Sequence, residues 1–196
     1  MWVGQAALQG EAIARDNGPV GLGLKGAVPG VGAGAVGHLH FEEAVALGQQ
    51  KWHKNPFSMI APIEPNLGPY MLHQVKLVPE GRAWTAMGMT AADRPYIASS
   101  HHQAIDELGL GFKASAFSLD DKIIEAIEHE KYPYVLGVQF HPEFRKLWDA
   151  TPEFKYSPDD PDLFGYRTIL EANPPSFEFH KRLWNWFFAK VKGGNG

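Results

Sequence analysis

The chain has 196 residues, 44% of them hydrophobic, and carries 22 acidic against 18 basic groups for a formal charge of −4. That is enough for one globular domain with its own core, and it gives no electrostatic reason to expect nucleic acid or an anionic membrane as partner. Cysteine is absent, which excludes disulfides, thiolate metal sites and a cysteine nucleophile within these residues. No apolar run reaches the length of about eighteen residues that a membrane span needs. No secretory pattern opens the chain, so a cytoplasmic location is expected.

Residues 5–16 read as a helix of good formers, stopped by Asn17-Gly18-Pro19. Seven glycines then fall between Gly21 and Gly37, and with Pro29 they argue against a long regular helix. Residues 38–50 regain periodicity around Phe41, Val45 and Leu47, and 51–69 is loop-like, punctuated by Pro56, Pro62, Pro65 and Pro69. Tyr70–Val78 predicts a strand ended by Pro79-Glu80-Gly81, and Pro95–Ser100 predicts another that leads into His101-His102-Gln103. Phe112–Phe117 and Ile123–Glu128 are expected as neighbouring strands joined at Asp120-Asp121. Tyr134–Phe140 predicts a short buried strand, terminated by Pro142. Residues 149–178, rich in proline and acids, read as an irregular insertion, and Phe179–Val191 as an aromatic-rich terminal helix.

The sharpest chemical signal is Gly137-Val138-Gln139-Phe140-His141-Pro142-Glu143. A strand delivers a histidine to its carboxyl end, where α/β sheets place ligands, and a carboxylate stands two residues on. Such a pair supplies the base and its orienting partner for acyl transfer. The same segment could also be a plain surface turn at a strand end.

The whole motif resembles the closing signature of the class I glutamine amidotransferases. Ser99-Ser100-His101-His102-Gln103-Ala104-Ile105 is similar to the γ-glutamyl hydrolase branch of that family, which includes γ-glutamyl-γ-aminobutyrate hydrolases. His73-Gln-Val-Lys-Leu-Val-Pro-Glu-Gly81 and Ile124-Glu-Ala-Ile-Glu-His129 look like the family's strands before these two motifs. The resemblance is specific from about Tyr70 to Phe144. It implies an α/β layered fold with a mainly parallel sheet flanked by helices, flavodoxin-like in form. It also implies His141 as base, Glu143 as its orienter, and Ser99, His101, His102 and Gln103 as pocket wall. No cofactor and no metal are implied.

One departure is as informative as the match. The family's nucleophile elbow reads roughly Pro-Val-Leu-Gly-Ile-Cys-Arg-Gly, whereas this chain has Pro19-Val20-Gly21-Leu22-Gly23-Leu24-Lys25-Gly26. Leu24 stands in the cysteine's place and has no lone pair with which to attack a carbonyl. The family's first strands, with the loop that gives one oxyanion amide, are expected to be missing as well. Their loss would leave a sheet edge exposed, so a second copy or a different subunit is expected to cover it.

Other readings of the same residues carry less. Gly21, Gly23 and Gly26 satisfy G-x-G-x-x-G with Glu42 about twenty residues on, but no clean strand precedes them and Pro29 interrupts any helix after them. His38 and His40 could project two imidazoles toward a metal, though spacing dictates no third ligand. Ser99 and Ser100 beside His101 raise a serine nucleophile, which the resemblance does not support. The terminal helix sets Phe179, Leu183, Trp184, Trp186, Phe187 and Phe188 beside several lysines and arginines. Leu183 and Phe187 are expected on the sheet, with the surplus aromatic surface at a subunit contact rather than a membrane. The expectation is therefore a single domain over residues 1–196. It would be a γ-glutamyl hydrolase-like protein without cysteine chemistry, acting as a binding or structural subunit toward a γ-glutamyl small molecule. An active hydrolase completed by a partner chain or a non-cysteine nucleophile is the alternative.

Overall fold

The computed structural model describes residues 66–120 and 122–193, together with 2–3, 40–43, 53–57, 60 and 63–64. The expected helix at 5–16, the glycine-rich stretch, the elbow at Leu24 and His38 lie outside the described residues, as does the side chain of His40.

Eight strands are described: β1 (Trp2–Val3), β2 (His40–Glu43), β3 (Met71–Leu77), β4 (Tyr96–Ser99), β5 (Gln103–Glu107), β6 (Phe112–Ser118), β7 (Ile124–His129) and β8 (Leu136–Val138). Helix α1 is Arg82–Ala86, α2 is Tyr166–Ala172 and α3 is Ser176–Gly193, with a 3-10 turn at Arg145–Leu147. Six strands form one sheet in the order β1-β8-β7-β6-β3-β4, and β2 pairs with β5 in a separate ribbon.

Every pairing between these strands is antiparallel. That corrects the expected mainly parallel sheet for the described residues. Among β6, β7 and β8 the reason is connection length. β6, β7 and β8 succeed one another through short turns, and a parallel pair needs a crossover of a dozen or more residues. The strand expected over Tyr134–Phe140 is confined to Leu136–Val138, because Val135 N–H bonds back to Tyr132 O in a turn (3.2 Å). Its three residues are half-buried rather than buried.

The strands lie where alternation places them. On β3, His73, Val75 and Leu77 are buried while their neighbours are more open. β7 sits between β8 and β6 and is buried on both faces from Glu125 to His129. Its Ala126 belongs to a core of Val75, Leu77, Trp84, Ile97, Phe140, Phe179 and Leu183. Its Ile127 belongs to a separate cluster with Ile105, packed by Phe112 and Ile124. Helix α3 therefore lays Phe179, Leu183 and Trp186 on the main core at helical spacing. Phe187, expected on the sheet, instead meets Trp184 and Phe188 in an aromatic group (ring centroids 5.7 and 5.6 Å).

The stretch 149–178, expected to be irregular, is so only up to Gly165. It contains α2 and the first turn of α3, which opens at Ser176 and not at Phe179. Pro175 suits that start, since a first-turn residue needs no amide donor and Pro175 O accepts from Phe179 N–H (2.9 Å). Tyr166 and Leu170 of α2 are fully buried with Leu147 and Ala98, and Tyr70, Phe144, Phe154 and Phe164 pack around them. Aromatic burial of this size offsets the ordering of a proline-rich segment. Among the described residues, no helix is long and apolar enough to cross a membrane.

Candidate functional site

Two polar centres stand out, and both flank β4. The first is the His141–Glu143 pair. Past β8, Gln139 N–H bonds to Glu125 O (2.9 Å) and Phe140 enters the core, so the chain is held until His141 N–H bonds to Ala98 O of β4 (2.8 Å). Pro142 O accepts from Trp184 Nε1 of α3 (3.0 Å), which ties the turn to the terminal helix. On that frame His141 Nδ1 and Glu143 Oε1 are 2.8 Å apart. A carboxylate only accepts, so the imidazole donates through Nδ1 and keeps Nε2 for a substrate or a proton. The Tyr70 ring lies 4.8 Å from the His141 ring and 4.3 Å from Phe144. Burial, and then the charge of Glu143, push the Tyr70 hydroxyl above its ordinary pKa, so it remains a neutral wall of the site. His141 and Glu143 are about one-fifth and one-third exposed, which leaves the pair accessible to a small molecule.

The second centre is buried. Glu125 of β7 has no exposed surface, and three imidazoles converge on its Oε1: His53 Nδ1 at 3.1 Å, His73 Nε2 at 3.4 Å and His101 Nε2 at 3.3 Å. The His53 ring stands 4.4 Å from that of His73 and 4.7 Å from that of His101. Burial alone would raise the Glu125 pKa, but the close approach of His101 and His53, and then the charges of His73 and His101, outweigh it and hold the carboxyl at about 2. His73 is lowered from the ordinary histidine value, by burial first and against the pull of Glu125.

The expected pocket residues are distributed between these features. Ser99 is buried and donates its hydroxyl to His53 O (2.8 Å), so it braces the histidine cluster. His101 turns into that cluster, whereas its neighbour His102 is exposed. Gln103 opens β5, opposite Glu43. The structure thus brings His141 to Glu143, and Ser99 and His101 to His53. His53, His73 and Glu125 were not singled out from the sequence as site residues. One signal was available: a glutamate among Ile124, Ala126 and Ile127 on an apolar strand has to find a partner if it is buried.

A hydrogen-bonded histidine–glutamate pair thus stands just past a strand end, on a fold that combines helices with an antiparallel sheet. More particularly, the chain matches the family described as Peptidase C26 over residues 38–143, more than half its length, and belongs to that family. It is 50% identical over 46 residues to the glutamine amidotransferase-like protein RP404 of Rickettsia prowazekii, covering 24% of this chain and 16% of that protein. It is 33% identical over 90 residues to protein NtpR of Enterococcus hirae, covering 45% of this chain and 36% of that one. The matched parts therefore span well under two-thirds of these relatives. Among solved structures, a glutamine amido transferase from Methylobacillus flagellatus aligns over 67% of this chain and 53% of its own, at 15% identity and a TM-score of 0.41.

Proposed function

We propose that this glutamine amidotransferase-like chain binds a γ-glutamyl small molecule at the His141–Glu143 pair and has lost cysteine-dependent hydrolysis. It would then act as a binding or structural subunit beside a second copy or a different chain. The observation that carries this reading is that the 196 residues contain no cysteine, while a histidine and glutamate in hydrogen-bond contact (2.8 Å) remain. A base without a nucleophile can still accept a hydrogen bond from an amide or ammonium group. It cannot form the acyl intermediate of the family reaction.

The retained pair also favours a second reading, in which a partner chain or another residue class supplies the nucleophile and the γ-glutamyl amide is hydrolysed. One experiment separates the two. The purified chain, alone and with whatever copurifies, is assayed against γ-glutamyl amides and titrated with them by calorimetry. The expected result is saturable binding that weakens at least about tenfold in His141→Ala, with turnover at background in both proteins. Turnover that disappears in His141→Ala would overturn the binding reading in favour of the second.

A further inference from the structure

His53 precedes β3, His73 lies on β3, His101 stands just past β4 and Glu125 lies on β7, yet their ligand atoms all fall within 4.8 Å of one another. We propose that these four side chains bind a single divalent transition-metal ion of the zinc type, through His53 Nδ1, His73 Nε2, His101 Nε2 and Glu125 Oε1. The site is separate from the His141–Glu143 pair and does not depend on the γ-glutamyl reading.

Three observations carry it. The first is metric. Ligands about 2.0–2.1 Å from a tetrahedral zinc ion stand about 3.3–3.4 Å from one another. The three nitrogens stand 3.1, 3.4 and 3.3 Å from the carboxylate oxygen. Those edges of the tetrahedron are already in place, and a separation at the 4.8 Å limit of the set has to close by about 1.5 Å.

The second is the direction of the ring nitrogens. His101 Nδ1 lies 2.8 Å from Gln103 O, and His73 Nδ1 lies 3.4 Å from Gln74 O. A carbonyl behind Nδ1 fixes the proton there and leaves the Nε2 lone pair facing forward, the support that metal-bound histidines commonly have. In both residues that Nε2 faces Glu125 Oε1, an anionic oxygen. A lone pair opposed to an anion is repulsive unless a proton or a cation stands between them, and a metal ion at the convergence satisfies all the donors together.

The third is the imbalance at Glu125. Three imidazoles crowd Oε1, while Oε2 is buried and has no hydrogen-bond partner among the described residues. A network built only of hydrogen bonds would share the donors between two equivalent oxygens. Convergence on one oxygen is the arrangement of a monodentate metal ligand.

The donor set selects the ion. Imidazole nitrogens with one carboxylate suit zinc and its neighbours, whereas calcium and magnesium take oxygen-rich shells. Four protein ligands close the shell, and only His101 reaches solvent, at 13%. Such a closed site is structural: it joins the segment before β3 to β3, the β4–β5 turn and β7. Binding displaces whatever protons the imidazoles hold at the ligand nitrogens, so affinity falls as pH is lowered.

The test uses the untagged full chain, titrated with cobalt(II) chloride and then zinc chloride. Tetrahedral cobalt bands in the visible, saturating at one equivalent and erased by one equivalent of zinc, are expected. The thermal midpoint is expected to rise with zinc concentration. His101→Ala, the variant at the solvent rim, and Glu125→Gln are each expected to weaken binding at least about tenfold, while the exposed neighbour His102→Ala binds as wild type. If Glu125→Gln does not fold by circular dichroism, His101→Ala decides the matter alone. Absence of cobalt bands and of a zinc-dependent midpoint in the wild type would overturn the proposal. Bands that persist undiminished in His101→Ala but vanish on substitution of His38 and His40 would do so too.

Discussion

Helix α1 begins without a local cap. Gly81 stands at its N-cap and has no side chain, and the first helical amides would be unsatisfied. Glu128, buried on β7, reaches across from the sheet: its Oε2 accepts from Arg82 N–H at 2.9 Å and its Oε1 from Ala83 N–H at 2.8 Å. Each hydrogen bond to a charged acceptor contributes about 1.5–3 kcal/mol. The Arg82 amide is only partly buried and recovers water in a variant, and removing a buried anion relieves some desolvation. Glu128→Ala should therefore destabilise by about 3 kcal/mol, most of it from the orphaned Ala83 amide. Glu128→Gln keeps one acceptor and turns an NH2 toward the other amide, for a cost of about 2 kcal/mol. With a urea m-value of about 2 kcal/mol/M, the alanine variant's midpoint falls by about 1.5 M at unchanged m. The loss is global because α1 carries Trp84, which is buried, donates to Ser115 O (2.6 Å) and packs 5.7 Å from Phe179 of α3. A midpoint shift worth less than about 0.5 kcal/mol in Glu128→Ala would refute the cap.

Buried polar groups elsewhere give two more predictions. His180 on α3 is fully buried, with Nε2 3.1 Å from Tyr96 O, and burial, partly opposed by that hydrogen bond, lowers its pKa to about 4. The unfolded chain, titrating near 6.5, then binds more protons than the folded one between about pH 4 and 6.5, so stability rises with pH across that window and is lost as pH falls through it. The contribution is up to about 3 kcal/mol, and urea titrations at several pH values should show a shallower slope in His180→Gln; an unchanged slope would reject the assignment. Tyr166→Phe removes a hydroxyl that donates to Tyr70 O (2.6 Å) and accepts from Tyr70 N–H (3.1 Å), and should cost about 2 kcal/mol. Because Tyr70 packs on His141, the His141 ring resonances should move in that variant, and unmoved resonances would separate the two sites.

Much of the local structure was legible because it depends on neighbours in the chain. Proline and glycine marked the end of β3, and alternation around Val75 and Leu77 marked a half-buried strand. The spacing of His141 and Glu143 already placed a carboxylate within reach of an imidazole, and the structure holds them at 2.8 Å. Cysteine's absence from these residues needed no structure at all. Strand direction was a different matter. Apolar runs look alike in parallel and antiparallel sheets, and here the short connections between β6, β7 and β8 make those three strands antiparallel. The prolines of 149–178 hid α2, because Tyr166 and Leu170 are stabilised by contacts with Tyr70, Phe144 and Ala98 and not by local propensity. Most of all, His53, His73, His101 and Glu125 are scattered along the chain, and nothing in their spacing joins them. Only the folded chain brings their ligand atoms within 4.8 Å, because the partner a buried carboxylate needs is chosen by what the core places beside it.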